Sequence, residues 1–386
     1  MDQAGAKRAP LSGRRSGVWR LPLRLDRPEG GAIRRVVRGA RLPGSQEDIE
    51  RIVTILNEPR LGPLLLDALE SLDVTEWAWE ALRRSGLAGK GDSGPAGGAI
   101  SWTKGLFQAW KVTLGRSVLL LDARDELETA AAHEGLHFVR QKGIAVLESL
   151  YELRGRRLSD LDFYVPPGEL KRAAALVQRL GYERAPSPRW PKGAHHELAF
   201  VRKQPDSVVG LELHPEEGAW WWGRTLPPEA VLAHTVRQGP GLKPTSELLA
   251  AQLGLHILRS EIFSGRLKNV VDLGLLLAKA PPNWRAMEHL LARARLWKPV
   301  QRLLALLERI FWPATRPSVP SLEEDPWLHP LLILADLRPR WPPVWLGDGP
   351  VSRQAATALT QSLFMGSLEF SGRASLRLAA LALTGR

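Results

Sequence analysis

The sequence predicts a mixed α+β fold, a small sheet with helical regions before and after it. Two observations carry this. Apolar residues recur at helical spacing before about residue 110 and again after about residue 245. Between these stretches, strand-like runs alternate with helical ones over roughly 90 residues, as in a mixed sheet covered by helices.

Residues 1–45 are basic and rich in Gly and Pro with no sustained period, and read as a poorly ordered arm. Residues 46–120 form an N-terminal helical region. Ile49, Ile52, Val53 and Leu56 share a helix face there, with Ser45 and Asp48 as a capping start. The run Gly89 to Gly98 is a loop within it. The core, 121–222, opens with a helix over Asp122–Glu134, a short strand at Leu136–Val139 and a helix from Gly143 to Leu153. Asp160 to Val165 alternates as a strand and is broken by Pro166, Pro167 and Gly168. Glu169–Leu180 is a helix closed by Gly181 in a left-handed conformation. Strands follow near Glu197–Arg202 and Val208–Leu213. Residues 223–386 form a C-terminal helical domain. Its patterns lie at 246–257, 268–279, 285–310 and 352–384, with no strand expected after Thr245. Proline clusters at 312–320 and 339–350 separate them.

At 386 residues the chain is long enough for two or three domains of roughly 150 residues. Hydrophobic residues make up 44% and charged residues 24%, the composition of a protein that buries a real core. The longest apolar stretches, such as Val118 to Leu121, fall far short of the ~20 residues that span a bilayer, so no membrane partner is expected. No charged start leads into an apolar core and a small-residue cleavage pattern, so no secretory signal is expected. The chain has no cysteine, which excludes disulfides, thiolate nucleophiles and cysteine zinc sites, and fits a cytoplasmic protein. The net charge is +12, and residues 1–41 alone hold eleven Lys or Arg against Asp2, Asp26 and Glu29. Such an arm suits an anionic acceptor and leaves nucleic acid open as a partner; it equally suits a solvated leader.

The chemistry concentrates in Asp160-Leu161-Asp162. On a strand, residues two apart share a face, so both carboxylates project together. Side by side they repel, and a divalent cation held between them removes that cost. Lys142-Gly143 lies upstream at the start of a helix, where Gly lets backbone N–H groups approach a phosphate and Lys adds a point charge. Downstream, Glu212 and His214 share a strand face, and Glu212 is a candidate third carboxylate. These parts suit in-line phosphoryl chemistry on a metal-bound nucleotide. Asp-x-Asp also serves glycosyltransferases, but residues 1–120 do not read as the nucleotide-binding domain such enzymes place before it.

Here the residues carry a family resemblance. Lys142-Gly143, then Arg156 four residues before Asp160-Leu161-Asp162, then Gly181-Tyr182 and Glu212-Leu213-His214, occur in the order found in the uncharacterised bacterial nucleotidyltransferase family of the polymerase-β-like superfamily. The chain resembles that family over roughly residues 125–280, where Leu255 to Leu258 and Asn269 to Asp272 look like its helical C-terminal part. The resemblance implies a nucleotidyltransferase core that uses a nucleoside triphosphate with Mg2+ or Mn2+, and Asp160, Asp162 and Glu212 as metal ligands. It names no acceptor. Two features depart from the pattern: the superfamily more commonly has Gly-Ser where Lys142-Gly143 stands, and His214 is followed by Pro215 to Gly218 instead of an aromatic and a basic residue.

Around this core, Arg156 and Arg157 are candidates for bidentate contact with the phosphates. His196, beside His195, is a candidate for acceptor contact or proton transfer, as is His214. Trp220, Trp221 and Trp222 suit stacking on a ring, but in a chain with 15 Trp they fit packing better. His256 and Asp272 suit either the cleft wall or a polar tie between the helical domain and the core. The expected activity is transfer of a nucleoside monophosphate from a triphosphate to a hydroxyl-type acceptor (a small molecule, a peptide or protein, or an RNA end), releasing pyrophosphate. The alternative is a non-catalytic nucleotide- or nucleic-acid-binding module on the same fold.

Overall fold

In a computed structural model the structure describes residues 46–58, 60–71, 73–84, 86, 100–151, 156–185, 197–204, 207–219, 224–258 and 267–311, together with 23–24, 33 and 340–341. Strand β1 (Leu23–Arg24) precedes three short helices, α1 (Gln46–Asn57), α2 (Leu61–Ser71) and α3 (Thr75–Arg84). Each turns one apolar stripe inward: Ile52 and Leu56, Leu65 and Leu69, Ala78 and Leu82 are all buried. Helix α4 (Ile100–His133) then runs for 34 residues and ends at Gly135, whose φ of +65° only glycine adopts readily.

The central segment follows as β2 (Val139–Arg140), α5 (Lys142–Leu150), β3 (Leu161–Tyr164), α6 (Leu170–Arg179), β4 (Glu183–Arg184), β5 (Leu198–Gln204) and β6 (Ser207–His214). A small antiparallel pair, β7 (Gly218–Ala219) and β8 (Arg224–Thr225), leads to α7 (Pro228–Ala233), β9 (Thr235–Gln238) and β10 (Gly241–Pro244). The last described helices are α8 (Ser246–His256), α9 (Lys268–Lys279), α10 (Trp284–Ala292) and α11 (Trp297–Phe311), and β11 (Arg340–Trp341) pairs with β1. No helix among the described residues is long and apolar enough to cross a membrane.

Seven strands form one sheet in the order β4-β5-β6-β3-β2-β10-β9. It is mixed: β3 runs parallel to β6 and β2 parallel to β10, while the other pairs are antiparallel. The predicted α+β class is therefore the observed one. All four residues of β3 are buried, as befits a central strand covered on both faces. Helix α4 packs on α6, β6 and β10, whereas α5 packs on β3, α8 and α9. Beneath β10, Arg140 is pinned by Glu128 and Glu148, and Glu128 lies where a side chain on Gly241 would stand.

Three expectations are corrected. The sheet draws β9 and β10 from residues beyond 222; β9 is a largely exposed edge strand and lacks the apolar alternation that marks a strand in sequence. A two-residue strand, β11, occurs after Thr245. The single helical stretch expected over 285–310 is two helices, α10 and α11, broken where Arg295 takes a φ of +55°. Gly181 does close its helix in the left-handed conformation, at φ +83°. The loop at 89–98, the pattern at 352–384 and nearly all of the basic arm lie outside the described residues.

Candidate active site

The parallel register of β3 and β6 sets Asp162 beside Glu212 and Tyr164 beside His214. Alternate residues of a strand share a face, so Asp162, Glu212 and His214 project together. One ligand atom from each lies within 4.8 Å of the others. Asp160, just before β3, is half-buried next to this group, and the adjacent Gly210 leaves it room: a Cβ there would sit 3.6 Å from the Asp160 Cβ.

Lys142 closes the group from the neighbouring strand. The chain leaves β2 and turns into α5 with Lys142 at φ +42°, a left-handed conformation unusual for a residue with a side chain. Its Nζ donates to Asp162 Oδ1 at 2.8 Å. His214 Nε2 lies 2.9 Å from the same oxygen and 3.4 Å from Glu212 Oε2.

Charge balance follows from these contacts. Burial pushes the Asp162 carboxyl up, but the Lys142 ammonium and His214 outweigh it and hold Asp162 well below the usual carboxylate range. Asp160 moves the other way: burial and the Asp162 charge raise it, against a hydrogen bond that Ser159 Oγ donates at 2.6 Å. Burial and Lys142 push the His214 imidazole down, but its bonds to Asp162 and Glu212 prevail and leave it raised.

A buried ion pair supports the turn from behind. The Arg156 guanidinium grips Asp272, with Nε donating to both carboxylate oxygens at 2.8 and 3.0 Å and Nη2 2.7 Å from Oδ2. Tyr151 Oη donates to Asp272 Oδ1 at 2.6 Å. Gly143 lies against this pair: a Cβ there would meet Arg156 Nη1 at 2.8 Å and Leu158 Cδ2 at 2.9 Å. The glycine at this helix start is thus demanded by close packing. Asp272 is the polar tie between α9 and the core.

The structure brings together Lys142, Asp160, Asp162, Glu212 and His214, with Gly143 adjoining. Arg156 is not in the group, because Asp272 holds its guanidinium. Arg157 is exposed and, with Lys268, Asp73, Glu76 and Trp77, lines a small surface recess. His195, His196 and Trp220 to Trp222 lie outside the described residues. One buried cluster had no signal in the sequence. Glu217 accepts hydrogen bonds from Gln141 Nε2 and from Gln252 Nε2, the latter at 2.9 Å. Gln141 therefore gives α5 no side-chain cap. In sequence, Glu217 sits in Pro215 to Gly218, which reads as a polar turn.

Two carboxylates and an imidazole within 4.8 Å of one another, with Asp160 beside them, suit a small divalent cation with oxygen-rich coordination, as Mg2+ and Mn2+ prefer. A family model described as uncharacterised nucleotidyltransferase matches residues 45–312, well over half of the chain. The chain belongs to the uncharacterised nucleotidyltransferase family. The match takes in every element from α1 to α11, so the sheet and the helices on both sides fall within this nucleotidyltransferase unit. As a nucleotidyltransferase it is a transferase whose donor substrate is a nucleoside triphosphate. Among solved structures, the nucleotidyltransferase is similar to the solution structure of the antibiotic-resistance factor ANT(2'')-Ia at 17% identity. The similarity covers 48% of this chain and 91% of that one, with a TM-score of 0.29, and at that score it carries no argument. No curated protein matches the chain.

Proposed function

We propose that the chain moves a nucleoside monophosphate from a nucleoside triphosphate to a hydroxyl-type acceptor, in a metal-dependent reaction that releases pyrophosphate. The observation that carries this reading is the parallel pairing of Asp162 with Glu212, which gathers two carboxylates and His214 within 4.8 Å. Asp160, Asp162 and Glu212 would hold the divalent cation, which when bound neutralises phosphate charge and polarises the α-phosphorus.

The chain's own residues divide the remaining work. His214, buried and bonded to Asp162 and Glu212, orients both carboxylates. Lys142 and the uncapped first turn of α5 receive the triphosphate, the ammonium as a point charge and the backbone N–H groups as donors. Arg156 acts on the turn through Gly143. Glu212, the most open of the three clustered ligands, takes the proton of the acceptor hydroxyl. The acceptor oxygen bonds to the α-phosphorus as its bond to the bridging oxygen breaks, and pyrophosphate leaves. Residues 121–222 supply most of this palm, and the helical regions on either side form the acceptor cleft.

Calorimetric titration with non-hydrolysable ATP, GTP, CTP and UTP analogues, with and without Mg2+, tests the reading. Magnesium-dependent binding that disappears in Asp160→Ala/Asp162→Ala supports the site and identifies the base. Binding that survives this double substitution places the site elsewhere.

A further inference from the structure

Helix α4 presents one face to solvent along its whole length. From Lys104, positions 108, 111, 115, 118, 122, 126, 129 and 133 recur every three or four residues, and all are exposed. At about 1.5 Å per residue the stripe is roughly 44 Å long. A face this long and this open is a candidate interface, and its charge pattern says what it fits.

The charge is segregated about the midpoint. Lys104 and Lys111 lie in the first half, with Arg116 beside them, and no carboxylate occurs between Ile100 and Leu121. Asp122, Asp125 and Glu126 occupy the second half, with Asp125 paired to Arg124 and Glu126 to Arg202. Between them lie exposed apolar side chains, Val112 at 71%, Val118 at 50% and Leu119 at 39%, on either side of Arg116, which reaches the Ser159 carbonyl. Gly115 sits among these, and a Cβ there would meet nothing within 4 Å.

We propose that two copies of the chain pair through α4, antiparallel about a two-fold axis near residue 117. A surface cationic at one end, anionic at the other and apolar between complements itself only when reversed. In that arrangement Lys111 of each copy faces Asp122 of the other. Leu119 meets the gap at Gly115, where the absent side chain lets the helices approach. Parallel pairing would oppose like charges at both ends, and a uniformly acidic or basic partner would satisfy only one half.

The pairing bears on the site without depending on its chemistry. Arg116 Nη2, at the middle of α4, donates to the Ser159 carbonyl at 2.7 Å, and Ser159 Oγ donates to Asp160. The dimer therefore sets its two Asp160 side chains on either side of one helix pair.

Sedimentation velocity of the full chain at micromolar concentration tests this. Wild type is expected to be dimeric, and K111E and D122K each to associate at least roughly tenfold more weakly. An equimolar mixture of the two variants is expected to dimerise again, since each presents the charge that the other now requires. Both variants are expected to keep the wild-type circular dichroism spectrum, because these side chains are exposed. A monomeric wild type overturns the proposal, as do a dimer indifferent to both reversals and a mixture that fails to reassociate.

Discussion

Lys142 reaches Asp162 at 2.8 Å from a backbone held at φ +42°, so the chain accepts left-handed strain at a non-glycine residue to deliver one ammonium to one buried carboxylate. Strain of this kind costs about 1–3 kcal/mol and persists only where the surroundings enforce it. Here the enforcement is visible: β2 fixes the turn's start, and the Gln141 side chain is tied to Glu217.

Removing the lysine should strand that charge. K142M is expected to destabilise the fold by about 3 kcal/mol in urea unfolding, the usual loss when one partner of a buried pair goes. K142M/D162N is expected to recover much of it, giving a clear coupling energy in the double-mutant cycle. Additive losses would mean that the pair contributes little.

Activity and stability should separate among the carboxylates. Glu212 has 31% of its side chain exposed and Asp162 only 10%. E212Q is expected to lose nucleotidyl transfer by at least roughly 100-fold with little change in Tm, whereas D162N loses transfer and stability together. Labelled-nucleotide assays beside thermal melts distinguish the two.

Gly143 is a packing constraint beside the candidate site. G143A would press on Arg156 Nη1 and Leu158, displacing a guanidinium held by Asp272. The expected loss is about 2–3 kcal/mol, with weaker nucleotide binding alongside. D272N should mimic the stability loss, and chemical denaturation of both variants checks this.

Gly241 answers to a different neighbour. A Cβ there would stand 2.2 Å from Glu128 Oε2, and Arg140 holds that carboxylate in place. G241A is therefore expected to cost about 1–3 kcal/mol, and E128A/G241A less than the separate losses combined.

Glu76 sets a pH dependence. Burial raises its pKa above the ordinary 4.5, although Thr113 Oγ1 donates to it at 2.7 Å. A carboxyl raised in the native state binds its proton more tightly there than in the unfolded chain. Its contribution to stability is present below pH 4.5 and is lost as pH rises through the native pKa. E76Q keeps an acceptor for Thr113 without the charge. Its Tm should exceed wild type at pH 7, with the gap closing toward pH 4.

The candidate site was legible in sequence where its geometry is local. Asp160 with Asp162, and Glu212 with His214, are spaced two apart, and strand geometry alone puts each pair on one face. What joins the pairs is the β3–β6 register, which no spacing encodes. Arg156 shows the opposite case. Its place beside the Asp pair suggested a phosphate ligand, but its partner Asp272 lies 116 positions away and only the fold reveals it. The break between α10 and α11 was hidden because Arg295 is not a residue that announces a left-handed turn. Gly181 is such a residue, and the helix end there was legible.

The parallel seams of the sheet place the site late in the chain's own history. Asp162 meets His214 across 52 positions, and Arg140 meets Gln238 across 98. Contacts so distant in sequence demand loop closure before they return any stabilisation, which slows their formation. During synthesis, β3 emerges with Lys142 already made but without Glu212 and His214 until β6 follows, and β2 lacks one neighbour until Leu242 arrives. The grouping of Asp162 with Glu212 and His214 thus waits on sheet completion, and a chain arrested before β6 would carry the Asp pair without those two side chains.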